Sequence, residues 1–179
     1  CGAGVCRHPR DPLSGAGMSE LLRDLWYFAA TSRELKRGGM FRREIMGEPV
    51  VLGRDANGAA FALRDICPHR AVPLSAGRIT DTNGAQTVEC PYHGWRFGTR
   101  DGVCKQIPSL VEGQPYEAGR IRVRRFPTHE ANGIVLLFVA SDPRSTEEPP
   151  PAPEFGLAEL TDPKFVIERT FAANMDNAV

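Results

Sequence analysis

The sequence predicts an all-β protein, an antiparallel β-sandwich or small barrel. Three observations carry that expectation. From Pro49 onward short apolar runs alternate with turn residues, Asn-Gly and Asp-Gly pairs punctuate them, and helical periodicity is scarce. Residues 49–54 (PVVLGR) and 59–66 (AAFALRDI) read as a hairpin. It turns at 55–58 (DANG), where Asn57 and Gly58 tolerate positive φ. Residues 86–90 (QTVEC) form a strand, and 95–104 (WRFGTRDGVC) a tighter hairpin turning at Asp101-Gly102. Residues 120–126 (RIRVRRF) alternate apolar and basic, so one face is buried and the other wet. They are expected to pair with Ile134–Ala140 across THEANG. Residues 32–36 suggest a turn, and 19–28 fit helix and strand equally well.

Composition excludes several classes. Lys+Arg 22 balance Asp+Glu 22, so no basic excess points to nucleic acid or an anionic membrane surface. The longest apolar run, IVLLFVA (134–140), is about a third of a membrane-spanning helix and reads as a buried strand. No secretory signal is visible. Five cysteines, an odd number at low density, argue for reduced thiols or ligands and hence for the cytoplasm. Residues 1–17 lack periodicity and are read as upstream or non-native sequence ahead of Met18, with Cys1, Cys6 and His8 incidental. Residues 18–141 form the main domain. Residues 142–155 (DPRSTEEPPPAPEF) are a Pro-rich linker, and 156–179 are too few to bury a core of their own, so they read as the opening of a second domain.

The chemistry lies in two stretches, CPHRAVPLSAG (67–77) and CPYHGW (90–95). Cys67 and His69 are two apart, and Cys90 and His93 three apart. Each pair follows a strand, so two neighbouring loops could offer four ligands to one site. A nucleophile with its base leaves the duplication unexplained. A zinc site has the right ligand types, but zinc modules usually pair Cys with Cys and His with His. Mixed pairs suit a two-metal object, each loop giving its cysteine to one iron and its histidine to the other, as in a Rieske [2Fe–2S] cluster. Pro68 and Pro91 stiffen the loops, and the Gly77 and Gly94 amides are expected to approach the cluster and donate to sulfide.

The motifs CPHRAVPLSAGRI and CPYHGWRFGTRDGVCKQIPS resemble the Rieske domain of the Rieske non-haem iron oxygenases, above all oxygenase components acting on aromatic acids, aryl ethers and chlorophyll-type pigments. The resemblance runs from about Trp26 to the end of the chain. It implies a Rieske-type β-sandwich or small barrels with two cluster-binding loops, followed by the start of an α+β catalytic domain. It makes Cys67 and Cys90 ligands of the inner iron, and His69 and His93 ligands of the outer one. It further implies a mononuclear Fe(II) in that later domain, a reductase or ferredoxin as electron donor, a small-molecule substrate and a homotrimer. Residues 171–179 (FAANMDNAV) resemble the lead-in to the mononuclear-iron motif, with Asn177 before the expected aspartate, but supply no ligand. Respiratory Rieske proteins add a cysteine to each loop and a serine after HG. Val72, Tyr92 and Trp95 stand there instead, implying a potential at the low end of the Rieske range. Cys104 is read as a buried small hydrophobe and His129 as a solvated surface residue in a turn. A stand-alone Rieske ferredoxin and a structural zinc module remain as alternatives.

Overall fold

The structure, a computed structural model, describes residues 23–111, 117–145 and 147–154. Among these described residues eleven strands follow one another: β1 (Leu25–Thr31), β2 (Met40–Ile45), β3 (Glu48–Arg54), β4 (Ala60–Arg64), β5 (Arg78–Thr82), β6 (Ala85–Glu89), β7 (Arg96–Gly98), β8 (Cys104–Gln106), β9 (Arg125–Phe126), β10 (Thr128–Ala131) and β11 (Ile134–Val139). They form three antiparallel sheets, ordered β1-β11-β10, β2-β3-β4-β9 and β5-β6-β7-β8. No α-helix occurs among the described residues.

The inner strands of the middle sheet, β3 and β4, are buried on both faces, and their sequences show why. In β3, Val50 and Leu52 point into one core, whereas Val51 between them points into the other. In β4, Ala62 joins the first core while Phe61 and Leu63 join the second. A strand covered on both sides reads as a continuous apolar run, which PVVLG and FAL are. The first core closes against Ala29, Val135, Leu137 and Val139 of the β1-β11-β10 sheet. The second closes against Val88, Phe97 and Cys104 of the β5–β8 sheet, and contains Cys67 and Cys90.

Three hairpins turn on two residues with positive φ: Met46-Gly47 (52°, 71°), Asn83-Gly84 (53°, 81°) and Asn132-Gly133 (51°, 78°). That geometry matches the twist of the flanking strands. The β3–β4 turn works differently. Gly58 takes φ +90°, but Asn57 does not adopt positive φ. The Asp55 carboxylate organises this turn by accepting the Asn57 and Ala59 N–H groups, both at 2.9 Å.

Residues 120–126 depart from expectation. Only Arg125–Phe126 are strand, and they pair with β4 rather than with β11. Upstream, Val123 N–H donates to Gly102 O and Cys104 N–H to Ile121 O, so this stretch braces the β7–β8 hairpin. The hairpin partner of β11 is Thr128–Ala131, because a two-residue turn at Asn132-Gly133 requires Ala131 opposite Ile134, while β1 pairs along its other edge. His129 therefore sits on a strand; it is exposed, with its ring edge-on to Trp26. The ambiguous stretch ending at 28 enters β1, while 32–36 form turns.

The Pro-rich segment lies against the domain. The Trp26 indole N–H donates to Pro150 O at 2.9 Å, and Ser141 N–H to Asp24 Oδ1 at 2.8 Å. Residues 1–17, and the expectations for 156–179, lie outside the described residues. No helix among the described residues is long and apolar enough to cross a membrane.

Candidate metal centre

The two loops are one turn built twice. In the first, Cys67 N–H donates to Val72 O (2.9 Å) and Ala71 N–H returns to Cys67 O (2.8 Å). In the second, Cys90 N–H donates to Trp95 O (2.8 Å) and Gly94 N–H returns to Cys90 O (3.1 Å). The fifth residue of each turn takes positive φ, 56° at Ala71 and 69° at Gly94. Glycine adopts that conformation freely, whereas alanine there is strained by roughly 1 kcal/mol. Proline at the second position of each loop fixes φ and removes a competing donor. The Gly77 and Gly94 amides, expected to face a sulfide, have acceptors within the protein. Gly77 N–H is bonded to Leu74 O at 2.9 Å, and Gly94 N–H closes its own turn. What these glycines permit is close approach, of Gly77 to the Glu89 carbonyl and of Gly94 to the Pro108 ring.

This shared turn sends the four side chains to two levels. The Cys67 and Cys90 side chains point inward beside each other, each residue only 2% exposed. The His69 and His93 rings lie outward, with centroids 4.8 Å apart and planes at 55°. Trp95 stacks on His69 at 4.6 Å and 3°, and Tyr92 lies 3.9 Å from His93. No three His, Cys, Asp or Glu side chains among the described residues gather around a single ion position. The four present themselves as two pairs, a sulfur pair inside and a nitrogen pair outside.

Polar clamps close the base of each loop. Buried Asp65 accepts the Ser75 N–H and hydroxyl, both at 2.7 Å, tying the entry of the first loop to its exit. Glu89, just before Cys90, accepts from Arg78 (2.5 Å) and Arg96 (2.8 Å), while Arg96 also reaches Gln106 at 2.9 Å. Sequence reading missed these clamps, since Asp and Ser beside a loop usually signify solvent.

Burial pushes the Cys67 thiol up to about 11, with hydrogen bonding to and charge on Cys90 adding to it. His69 is lowered by desolvation first and by the charges of His93 and Arg70 second, which favours the neutral, ligating imidazole. Two inward thiols in a dry apolar pocket and two outward imidazoles fit the mixed donor set of a [2Fe–2S] unit of Rieske type.

The thiol shift has a consequence for the reduced, metal-free protein. Folding favours the protonated Cys67 thiol, so its contribution to stability is complete below the ordinary thiol value of 9.0 and is lost as pH climbs towards about 11. Urea midpoints of that protein should fall across this window, and Cys67→Ala should flatten the fall.

Comparison with known proteins agrees with the geometry. The family described as Rieske [2Fe-2S] domain matches residues 25–127. The 3-chlorobenzoate-3,4-dioxygenase oxygenase subunit of Comamonas testosteroni is 34% identical over 128 residues, 71% of this chain and 28% of that protein. Chlorophyllide a oxygenase of Chlamydomonas reinhardtii is 36% identical over 132 residues, 74% of this chain and 19% of that protein. Among solved structures, the reduced complex between oxygenase and ferredoxin in carbazole 1,9a-dioxygenase matches with a TM-score of 0.61 and 28% identity, over 74% of this chain and 32% of that one. The chain thus spans less than a third of the length of these curated relatives. With three antiparallel sheets, two equivalent Cys-His loops and a family match across both, the chain belongs to the Rieske [2Fe-2S] domain family.

Proposed function

We propose that Cys67, His69, Cys90 and His93 hold one [2Fe–2S] cluster, thiolates on the inner iron and imidazoles on the outer, and that this domain relays electrons within an oxygenase component. The observation that carries the reading is the two-level convergence of the paired loops, with sulfurs inside and nitrogens outside. Bound there, the cluster supplies one-electron chemistry at a potential in the lower part of roughly −150 to +300 mV. Residue 95 is tryptophan, so no serine hydroxyl follows Gly94 to raise that potential.

The residues divide the work. Leu74, Val88, Phe97 and Ile107 keep water from the sulfur side. His69 and His93 stand at the surface, where a ring nitrogen can face a redox partner. The donor is a reductase or ferredoxin, carrying electrons from NAD(P)H. The acceptor is a mononuclear Fe(II) in a catalytic domain that 156–179 begin, after a linker at 142–155 and a Rieske domain at 18–141. The whole protein is a homotrimer that uses O₂ to hydroxylate or demethylate an aromatic or similar small molecule in the cytoplasm. Substrate oxidation belongs to that catalytic domain, and residues 18–141 relay electrons to it.

Anaerobic reconstitution with iron and sulfide tests the assignment. The expected product is coloured, holds two irons per chain, becomes paramagnetic on reduction, and gives no substrate turnover with reductase and O₂. A colourless protein that takes up only zinc would overturn the cluster, and turnover would overturn the division between relay and catalysis.

A further inference from the structure

We propose that Trp95 is a positioning residue for His69: the indole of the second loop fixes the imidazole plane of the first. This rests on the reading of His69 as an iron ligand. A ligating imidazole must aim one nitrogen along one direction, yet the terminal torsion of histidine is soft. Metal-bound histidines are usually oriented by a hydrogen bond from the second ring nitrogen to a carboxylate or carbonyl. Among the described residues no hydrogen bond holds the exposed His69 ring, and the rings lying against it are those of Trp95 and His93. The Trp95 stack is nearly parallel, with planes 3° apart and centroids at 4.6 Å.

The indole itself is well anchored. It packs on the second core, 6.5 Å from the Phe97 ring, and the Trp95 carbonyl accepts the Cys90 N–H. One residue therefore closes the second turn through its backbone and sets a histidine of the first through its side chain. Such a bridge holds the spacing of the loops as well as the ring plane. Apart from His69, the ring against His93 among the described residues is the tilted one of Tyr92, a residue 60% exposed, so the two imidazoles are held unequally.

Two variants separate stacking from mere bulk: Trp95→Leu keeps apolar volume without a ring face, and Trp95→Phe restores a face. In the reduced, metal-free chain, the His69 ring protons, assigned with His69→Gln, should resonate upfield under the indole. That displacement should vanish in Trp95→Leu and return in part in Trp95→Phe. In the reconstituted protein all three should be coloured. Trp95→Leu should shift the EPR g-values and reduction potential and bleach roughly tenfold faster under a chelator, and Trp95→Phe should reverse most of each change. Ring-proton positions and EPR spectra in Trp95→Leu that match the unsubstituted protein would overturn the proposal. An unsubstituted chain that never becomes coloured would instead overturn the ligand assignment, an outcome visible before any variant is compared.

Discussion

Cys67→Ala is expected to yield a folded protein that holds no cluster after reconstitution. The side chain removed is one of two buried sulfurs on the inner level, so a single thiol from Cys90 remains where two are needed. The cost to the fold is modest, about 1 kcal/mol for the lost contacts of one sulfur atom in a closed core. Cys104→Ala is the matched control. Cys104 lies in the same core, is equally buried at 2% exposed, and directs its sulfur to the Gln106 carbonyl at 3.5 Å rather than to the loops. Both variants should unfold at similar urea concentrations, yet only Cys104→Ala should become coloured and bind iron and sulfide in the normal amount. Retention of the full visible spectrum by Cys67→Ala would remove Cys67 from the ligand set. Loss of the cluster in both would show that core packing, and not ligation, decides loading.

The two ligand loops were legible because their chemistry is local: four ligand-type residues, two prolines and a fixed order within a few positions. The β3–β4 and β7–β8 hairpins were legible for the same reason, as were the core run of β11 and the burial of Cys104. The edge strands β2 and β5 were not. The β2 sequence MFRREI exposes Arg42 and Glu44 and buries fully only Ile45, and β5 (RITDT) buries only Thr82, so neither shows a clean apolar alternation. The Asn83-Gly84 pair was an available signal for the β5–β6 hairpin, whereas Met46-Gly47 was not, since methionine seldom takes positive φ. Residues 120–126 mislead because their alternation is genuine while their hydrogen bonds run to the β7–β8 hairpin, a partner that only the fold reveals. The clamps at Asp65 and Glu89 are likewise tertiary, joining groups 10 and 7 or 11 residues apart across loop bases.

Gly77→Ala is expected to destabilise the domain by about 3 kcal/mol, the upper part of the usual range for overpacking, and to impair cluster loading with it. The reason is steric and not conformational. Gly77 has φ −92°, outside the left-handed region that favours glycine. A β-carbon there, however, would lie 1.9 Å from the Glu89 carbonyl oxygen and 3.1 Å from that of Leu74. Both obstacles are backbone, so no rotamer change relieves them. The chain must separate where Arg78 pairs with Glu89, at the first rung joining β5 to β6. That rung is also where the first loop ends and the second begins, one residue before Cys90. Moving it displaces the two ligand pairs relative to each other and strains the Arg78–Glu89–Arg96 clamp. Gly119→Ala supplies the comparison, with nothing within 4 Å of the added carbon, and should change stability by less than about 0.5 kcal/mol. Urea unfolding of both metal-free variants, followed by iron and sulfide analysis after reconstitution, separates the possibilities. A Gly77→Ala protein with unchanged midpoint and full cluster content would show that the two loops keep their spacing without this contact, and that the register of β5 against β6 is not what brings sulfur to sulfur.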